Sequence, residues 1–203
     1  MNTAIGSTTT TAEQAHPHAV WRPALGLAML TLLGFGFAYS VAATLLAGAV
    51  FPTQAHGSLL SEQGRVVGSL LVAQPFADPR YFQPRPSAAK YDPMAAAGSN
   101  QARSNPDLVK RIDDTRAAVA AREDVDPRQV PGDLLTQSGS GLDPDISPAA
   151  AALQVRRVAA ARGLAETRVA ELLEQHVQPR QFGVLGAPRV NVLALNLALD
   201  RLQ

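Results

Sequence analysis

From Pro23 through Ser61 the chain runs 39 residues without an Asp, Glu, Lys or Arg. Glu13 and Arg22 are the only charges before it, so 33 of the 35 fall in residues 62–203. A run of this kind has a solution in a bilayer. Residues 24–50 as a helix would measure about 40 Å, more than a hydrocarbon core of about 30 Å requires. Pro23 suits the first helical turn, where its missing N–H costs nothing. Trp21 and Arg22 are placed as interfacial anchors, and Phe51-Pro52 is a stop. A cleaved signal peptide would explain Ala47-Gly48-Ala49, but the apolar run is roughly twice a signal core and one Arg makes a poor leading charge. The expected organisation is a cytoplasmic tail over residues 1–22, a transmembrane helix over 23–51 and an extracytoplasmic soluble domain over 52–203. The orientation rests on Arg22, because no Lys or Arg follows the span until Arg65.

Within the span, Gly36, Ser40, Thr44 and Gly48 recur every fourth residue and share one helix face. Small residues in such a row let a partner helix approach closely. Gly34, Ala38 and Ala42 make a second row of the same kind, as any Ala/Gly-rich membrane helix can.

The remaining residues, about 150, suffice for one core. Leu59-Leu60, a Glu62-Gln63-Gly64 turn and residues 65–72 predict a hairpin. Residues 74–93 hold five of the 15 prolines and four aromatics, which predicts a braced loop without regular structure. Asn105-Pro106-Asp107 opens a helix to about Arg122. Residues 124–131 predict a polar linker, and 130–137 a short strand or extended loop. Ser147-Pro148 and Gly163 bracket a helix, and residues 165–177 predict another. The stretch from Val190 alternates like a strand, yet its length favours a helix from about Asn191. The predicted fold class is a single N-terminal transmembrane helix plus an α+β, mostly helical, soluble domain with a small sheet.

Composition excludes several functions. A net charge of +1 argues against a nucleic-acid partner. Absence of cysteine excludes disulfides, thiolate metal sites and Cys nucleophiles. The four histidines are scattered, and no metal site is expected. Neither Lys90 nor Lys110, the only lysines, follows a phosphate-cradling Gly-rich loop, so this chain alone should not hydrolyse ATP. Ser138-Gly139-Ser140-Gly141 lacks the leading Gly of a nucleophile elbow and reads as a turn. Asp143-Pro144-Asp145 offers too few oxygens for Ca²⁺, so Ser140, Asp143 and Asp145 are read as a structural turn before a helix. Glu123-Asp124-Val125-Asp126 reads as a solvated linker, and His176 as a helix-face or C-terminal dipole partner. In the Pro-rich loop, Tyr81, Phe82 and Arg85 suit either a docking anchor or a loop folded onto its own domain. Residue chemistry alone leaves two readings: an accessory subunit of a membrane complex, or an anchored periplasmic ligand-binding module or hydrolase.

The motifs, taken together, resemble a family. They comprise GSLL at 57–60, VGSLLVAQPF at 67–76 and YFQPRPSAAKYDP from Tyr81. Next come GSN at 98–100, SNPDL at 104–108 and SGSGLDPDISPAAA at 138–151, with QVRRVAAARGL at 154–164 and RVNVLALNLALD at 189–200. From Trp21 onward the chain resembles the KdpC family, accessory subunits of the bacterial Kdp high-affinity potassium-transporting P-type ATPase. Asp145 stands where that pattern often has His, and Gln101-Ala102-Arg103 where it has Leu-Gly-Pro. The resemblance implies a non-catalytic member of an ATP-driven, high-affinity potassium uptake pump in the bacterial inner membrane. The implied partners are a potassium-translocating channel-like subunit, the P-type ATPase subunit and a small single-span subunit. It further implies a role as a catalytic chaperone that raises ATP affinity, with no cofactor bound by this chain alone.

Overall fold

The computed structural model describes residues 17–202, with side chains from Val20; the first sixteen residues of the expected tail lie outside the described part. Contacts divide the chain into an N-terminal unit ending at Ala55 and a second beginning at His56.

The first unit is a long helix. Among the described residues, Val20–Val50 is the one helix long and apolar enough to cross a membrane, with mean hydropathy 1.8. It begins as α1 (Pro17–Thr31) and ends as α2 (Ser40–Val50). Pro17, rather than Pro23, is its first described residue, and Pro23 lies inside the helix, where one backbone hydrogen bond is forfeited. Between the two, Leu32–Tyr39 is wound as a π-helix. Gly34 and Gly36 lie in this wide stretch, where a permissive backbone eases the change of pitch. Thr31 Oγ1 donates to the Leu27 carbonyl at 2.8 Å and Ser40 Oγ to the Phe35 carbonyl at 3.3 Å. Both hydroxyls that flank the π segment are thus satisfied within the helix, as a hydrocarbon environment demands. Phe51 leaves helical geometry, and Pro52 starts the one-turn α3 (Pro52–Ala55).

In the second unit, β1 (Leu59–Glu62) and β2 (Arg65–Ser69) form the expected hairpin, with a bulge between Leu60 and Ser61. Its turn residues Gln63 and Gly64 both have positive φ, 50° and 78°, the turn that matches strand twist. The Pro-rich loop follows and contains no strand. The helix α4 (Pro106–Glu123) starts where Asn105 accepts from the Asp107 N–H and stops where Asp124 turns left-handed. Residues 130–137 form no strand; a 3₁₀ turn at Gly132–Leu134 stands there instead. Pro131 cannot donate to a ladder, and the Asp133 carboxylate is committed to the N–H and hydroxyl of Ser147.

A three-stranded antiparallel sheet in the order β3-β5-β4 anchors the rest, built from β3 (Asp145–Ile146), β4 (Val177–Gln178) and β5 (Arg189–Asn191). Helices α5 (Pro148–Arg162), α6 (Glu166–His176) and α7 (Val192–Asp200) pack on β5. Ser147 caps α5 by accepting from Ala150, and Gly163 closes it at φ 67°, where a side chain would be strained. The final segment is both things its sequence suggests: strand to Asn191, then helix, with Asn191 capping α7 through the Ala194 N–H. Ile146, Val158, Val169, Val190, Leu195 and Leu199 meet in the core, and Phe82 from the loop joins them.

Candidate functional site

The motif-rich segments converge on the Pro-rich loop, and three sets of side chains hold it. Pro79, Pro84 and Pro86 deny the loop a strand ladder. Two amides replace the missing strand. Asn196 Oδ1 accepts from the Phe82 N–H at 2.8 Å, and its Nδ2 donates to the Phe82 carbonyl at 2.9 Å. Gln154 does the same one residue on, accepting from the Gln83 N–H at 2.8 Å and donating to its carbonyl at 3.1 Å. Both amides are buried, where an unpaired polar group would be costly. Of Tyr81, Phe82 and Arg85, read as either a docking anchor or part of a loop folded onto its own domain, Phe82 is fully buried in its own domain, because these clamps turn its ring into the core.

A charged node lies beneath. Glu123, expected in a solvated linker, is instead buried with its side chain wholly covered. Its carboxylate accepts from Arg157 Nε at 3.0 Å and from Arg122 Nε at 2.6 Å. Arg157 also donates to Gln154 Oε1 and, through Nη1, to the Pro79 and Tyr81 carbonyls. Arg122 reaches the Gln83 side chain. An acid at the end of a helix opposes the helix dipole, so its position in the sequence already signals a local cation.

The third set holds the loop's flank. Arg162 lies 4.9 Å over the Tyr81 ring and donates to the Arg80 carbonyl and the Asp200 carboxylate, which also accepts from the Tyr81 hydroxyl. Arg85 Nη1 donates to Asp143 at 2.8 Å. The Asp143 carboxylate also accepts from the Asp145 N–H, while Ser140 Oγ accepts from the Leu142 N–H. The Asp145 carboxylate accepts from Arg189 at 3.0 Å and from Asn191. Burial, reinforced by the neighbouring Asp143 charge, raises the Asp145 carboxyl above its ordinary value, and Arg189 and Asn191 pull against this. Asp78 lies at the other extreme: hydrogen bonds from the Arg80 side chain and N–H lower it to about 2.

Glycine brings the two loop motifs together. A Cβ on Gly98 would sit 2.8 Å from the Gly139 carbonyl oxygen, and one on Gly141 2.8 Å from that of Ala97. Gly141 also has φ 71°. The GSN and SGSG motifs are therefore the two faces of one backbone clasp, which Ser87 closes by donating to the Gly141 carbonyl and accepting from the Tyr91 N–H.

This constellation holds a loop in shape. Among the described residues no group of three His, Asp or Glu side chains could hold a metal. Ser138 and Ser140 accept from backbone N–H groups, and His176 Nδ1 lies 2.8 Å from the Leu172 carbonyl. On the span, Gly36, Ser40, Thr44 and Gly48 are spread across the π segment and α2, and Ser40 and Thr44 are exposed. Gln154, Arg157 and Asn196 carry much of the geometry and were not singled out by sequence, and Glu123 was read only as part of a solvated linker. The signal was there for Asn196, a polar residue in the middle of the apolar run VLALNLALD.

The sequence profile described as "KdpC: K+-transporting ATPase, c chain" matches residues 21–201. A protein of Xanthomonas campestris pv. campestris named potassium-transporting ATPase KdpC subunit is 66% identical over 180 residues, 89% of this chain and 86% of that protein. Proteins of the same name are 51% identical in Shewanella putrefaciens, over 91% of this chain and 92% of theirs, and 54% in Sorangium cellulosum, over 88% and 96%.

Proposed function

The chain belongs to the KdpC family of K⁺-transporting ATPases, and from that premise we propose how it works. It is the non-catalytic, single-span subunit of an ATP-driven potassium uptake complex in a bacterial inner membrane. Its partners are a channel-like subunit that carries potassium, a P-type ATPase subunit that is phosphorylated, and a small single-span subunit. The observation that carries this reading is the extent of the match, which takes in the span and the second unit as far as Arg201.

Orientation follows from charge. Arg22 flanks the span directly, and its far side is neutral until Arg65, which favours the N-terminus inside and the domain outside. ATP is cytoplasmic, so an effect of this chain on ATP affinity passes through the complex. It requires the chain to bind two pump states unequally, since a ligand without differential affinity shifts nothing. ATP itself is held by the ATPase subunit. The Pro-rich loop contributes shape: its exposed parts are presented on a backbone fixed from beneath by Gln154, Asn196 and Arg157, so little entropy is lost on docking.

The full chain, tagged at Gln203 and solubilised from membranes in mild detergent, should bring down two large multispan subunits. An alkaline phosphatase fused at the same end, active only when exported, should be active. A chain purified without multispan partners, or a silent phosphatase beside an active cytoplasmic reporter, would contradict the reading.

A further inference from the structure

Strands β4 and β5 are joined by an arm that its own domain does not cover. After the pairs Val177–Val190 and Gln178–Arg189, the chain continues outward to a tip where Gln181 and Leu185 exchange both backbone hydrogen bonds at 2.9 Å. All residues 178–189 are exposed. The tip carries Phe182, 84% exposed, with Val184 and Leu185 at 71% and 56%. Phe182 has φ 54° and Gly183 φ 77°. An aromatic residue at a left-handed position is strained, and with its side chain left largely to solvent little burial within the domain offsets this. Exposed apolar side chains clustered in this way mark a surface that meets something else.

We infer that this arm is a second membrane contact, its Phe182-Gly183-Val184-Leu185 tip entering the headgroup and upper acyl region of the bilayer. Three observations favour lipid over a protein groove. Residues 177–190 contain no acid and two arginines. Arg189 is held by Asp145 at the base of the arm, whereas Arg180, two residues before Phe182, has no ion pair among the described residues, so one cation beside the apolar tip is left for a lipid phosphate. Successive residues of the arm are exposed on both faces, and a fluid layer covers both where a groove covers one. The domain is also tethered: eight residues, 51–58, separate the end of α2 from β1. With the span embedded, the bilayer surface is present at high effective concentration, and a few apolar side chains then suffice. The inference needs only the membrane anchoring; it goes beyond the transport reading and does not depend on it.

The chain has no cysteine, so Val184→Cys carries a single nitrobenzoxadiazole label while Phe182 and Leu185 stay in place. The labelled full chain is reconstituted alone in vesicles of phosphatidylcholine with a minority of phosphatidylglycerol, with and without a lipid bearing a nitroxide high on its acyl chain. The label should show blue-shifted emission and strong quenching by the nitroxide lipid. A label at Met94, the most exposed of the domain's large apolar residues at 93%, should show neither. Adding Phe182→Ser and Leu185→Ser should cut the inserted population about tenfold or more. The chain should still float with the vesicles through its span, which separates a failed arm from a failed anchor. A water-like emission at position 184 in vesicles would overturn the inference. So would equal quenching at positions 184 and 94, or protection of 184 only when multispan subunits are reconstituted with it.

Discussion

Glu123 is the residue on which the loop's shape most depends. Its carboxylate is covered and shared by two guanidinium groups, and the Arg157 side chain is itself only 10% exposed. Removing one member of a buried pair leaves the other charge uncompensated, which costs about 3–5 kcal/mol. Glu123→Ala should therefore lower stability by about that much in thermal unfolding of the detergent-solubilised chain. Asp124→Asn, whose carboxylate is exposed and pairs with Arg156 at 2.9 Å, should cost about 0–1 kcal/mol. Equal effects of the two would return Glu123 to solvent. Asp145 makes a second residue-scale test. Its folded carboxyl is raised above 3.8, mainly by burial, so the folded state holds the proton more firmly than the unfolded chain. The associated stability is present below about 3.8 and is lost as pH rises through the folded value. Asp145→Asn removes that titration. The variant should gain on the parent as pH climbs from below 3.8 into the neutral range, read as the difference in unfolding temperature, and a flat difference would contradict the shift.

The helix ends were legible because capping chemistry is local. Asn105-Pro106, Ser147-Pro148 and Gly163 each act within a few residues of themselves, and the structure places each as its sequence suggests. The grip on the Pro-rich loop was not legible in the same way. Gln154 meets Gln83 across 71 positions and Asn196 meets Phe82 across 114, so local patterning carries no trace of either partner. Glu123 was misplaced for a related reason: charge density around it suggests solvent, while its partner Arg157 lies 34 positions away. The π-helical stretch in the span was also missed. Its two glycines permit the wide turn but do not demand it. At this scale the span makes its own prediction. If the small side chains at Ser40 and Thr44 let a partner helix come close, leucine at both should loosen the complex through lost approach. Subunits should dissociate more readily on native gels in mild detergent, with the chain's own insertion unchanged. An intact complex carrying both leucines would locate the helix contact elsewhere.

For the whole molecule, the division of labour is a membrane anchor and a domain whose polar interior is directed at holding one loop. The family motifs that looked most like chemistry have structural partners: SGSG against GSN through Gly98, Gly139 and Gly141, and Asp143 with Arg85. On the proposed function, a chain built this way acts through what it holds against its partners. The most direct test of that account is ATP hydrolysis by the purified complex, assembled with and without this chain, as a function of ATP and potassium. The account predicts that the chain alone hydrolyses no ATP. It also predicts that adding it to the remaining subunits restores potassium-stimulated hydrolysis and lowers the ATP concentration needed for half-maximal rate. ATP turnover by the isolated chain, or a complex whose ATP and potassium dependence is the same without it, would contradict the account.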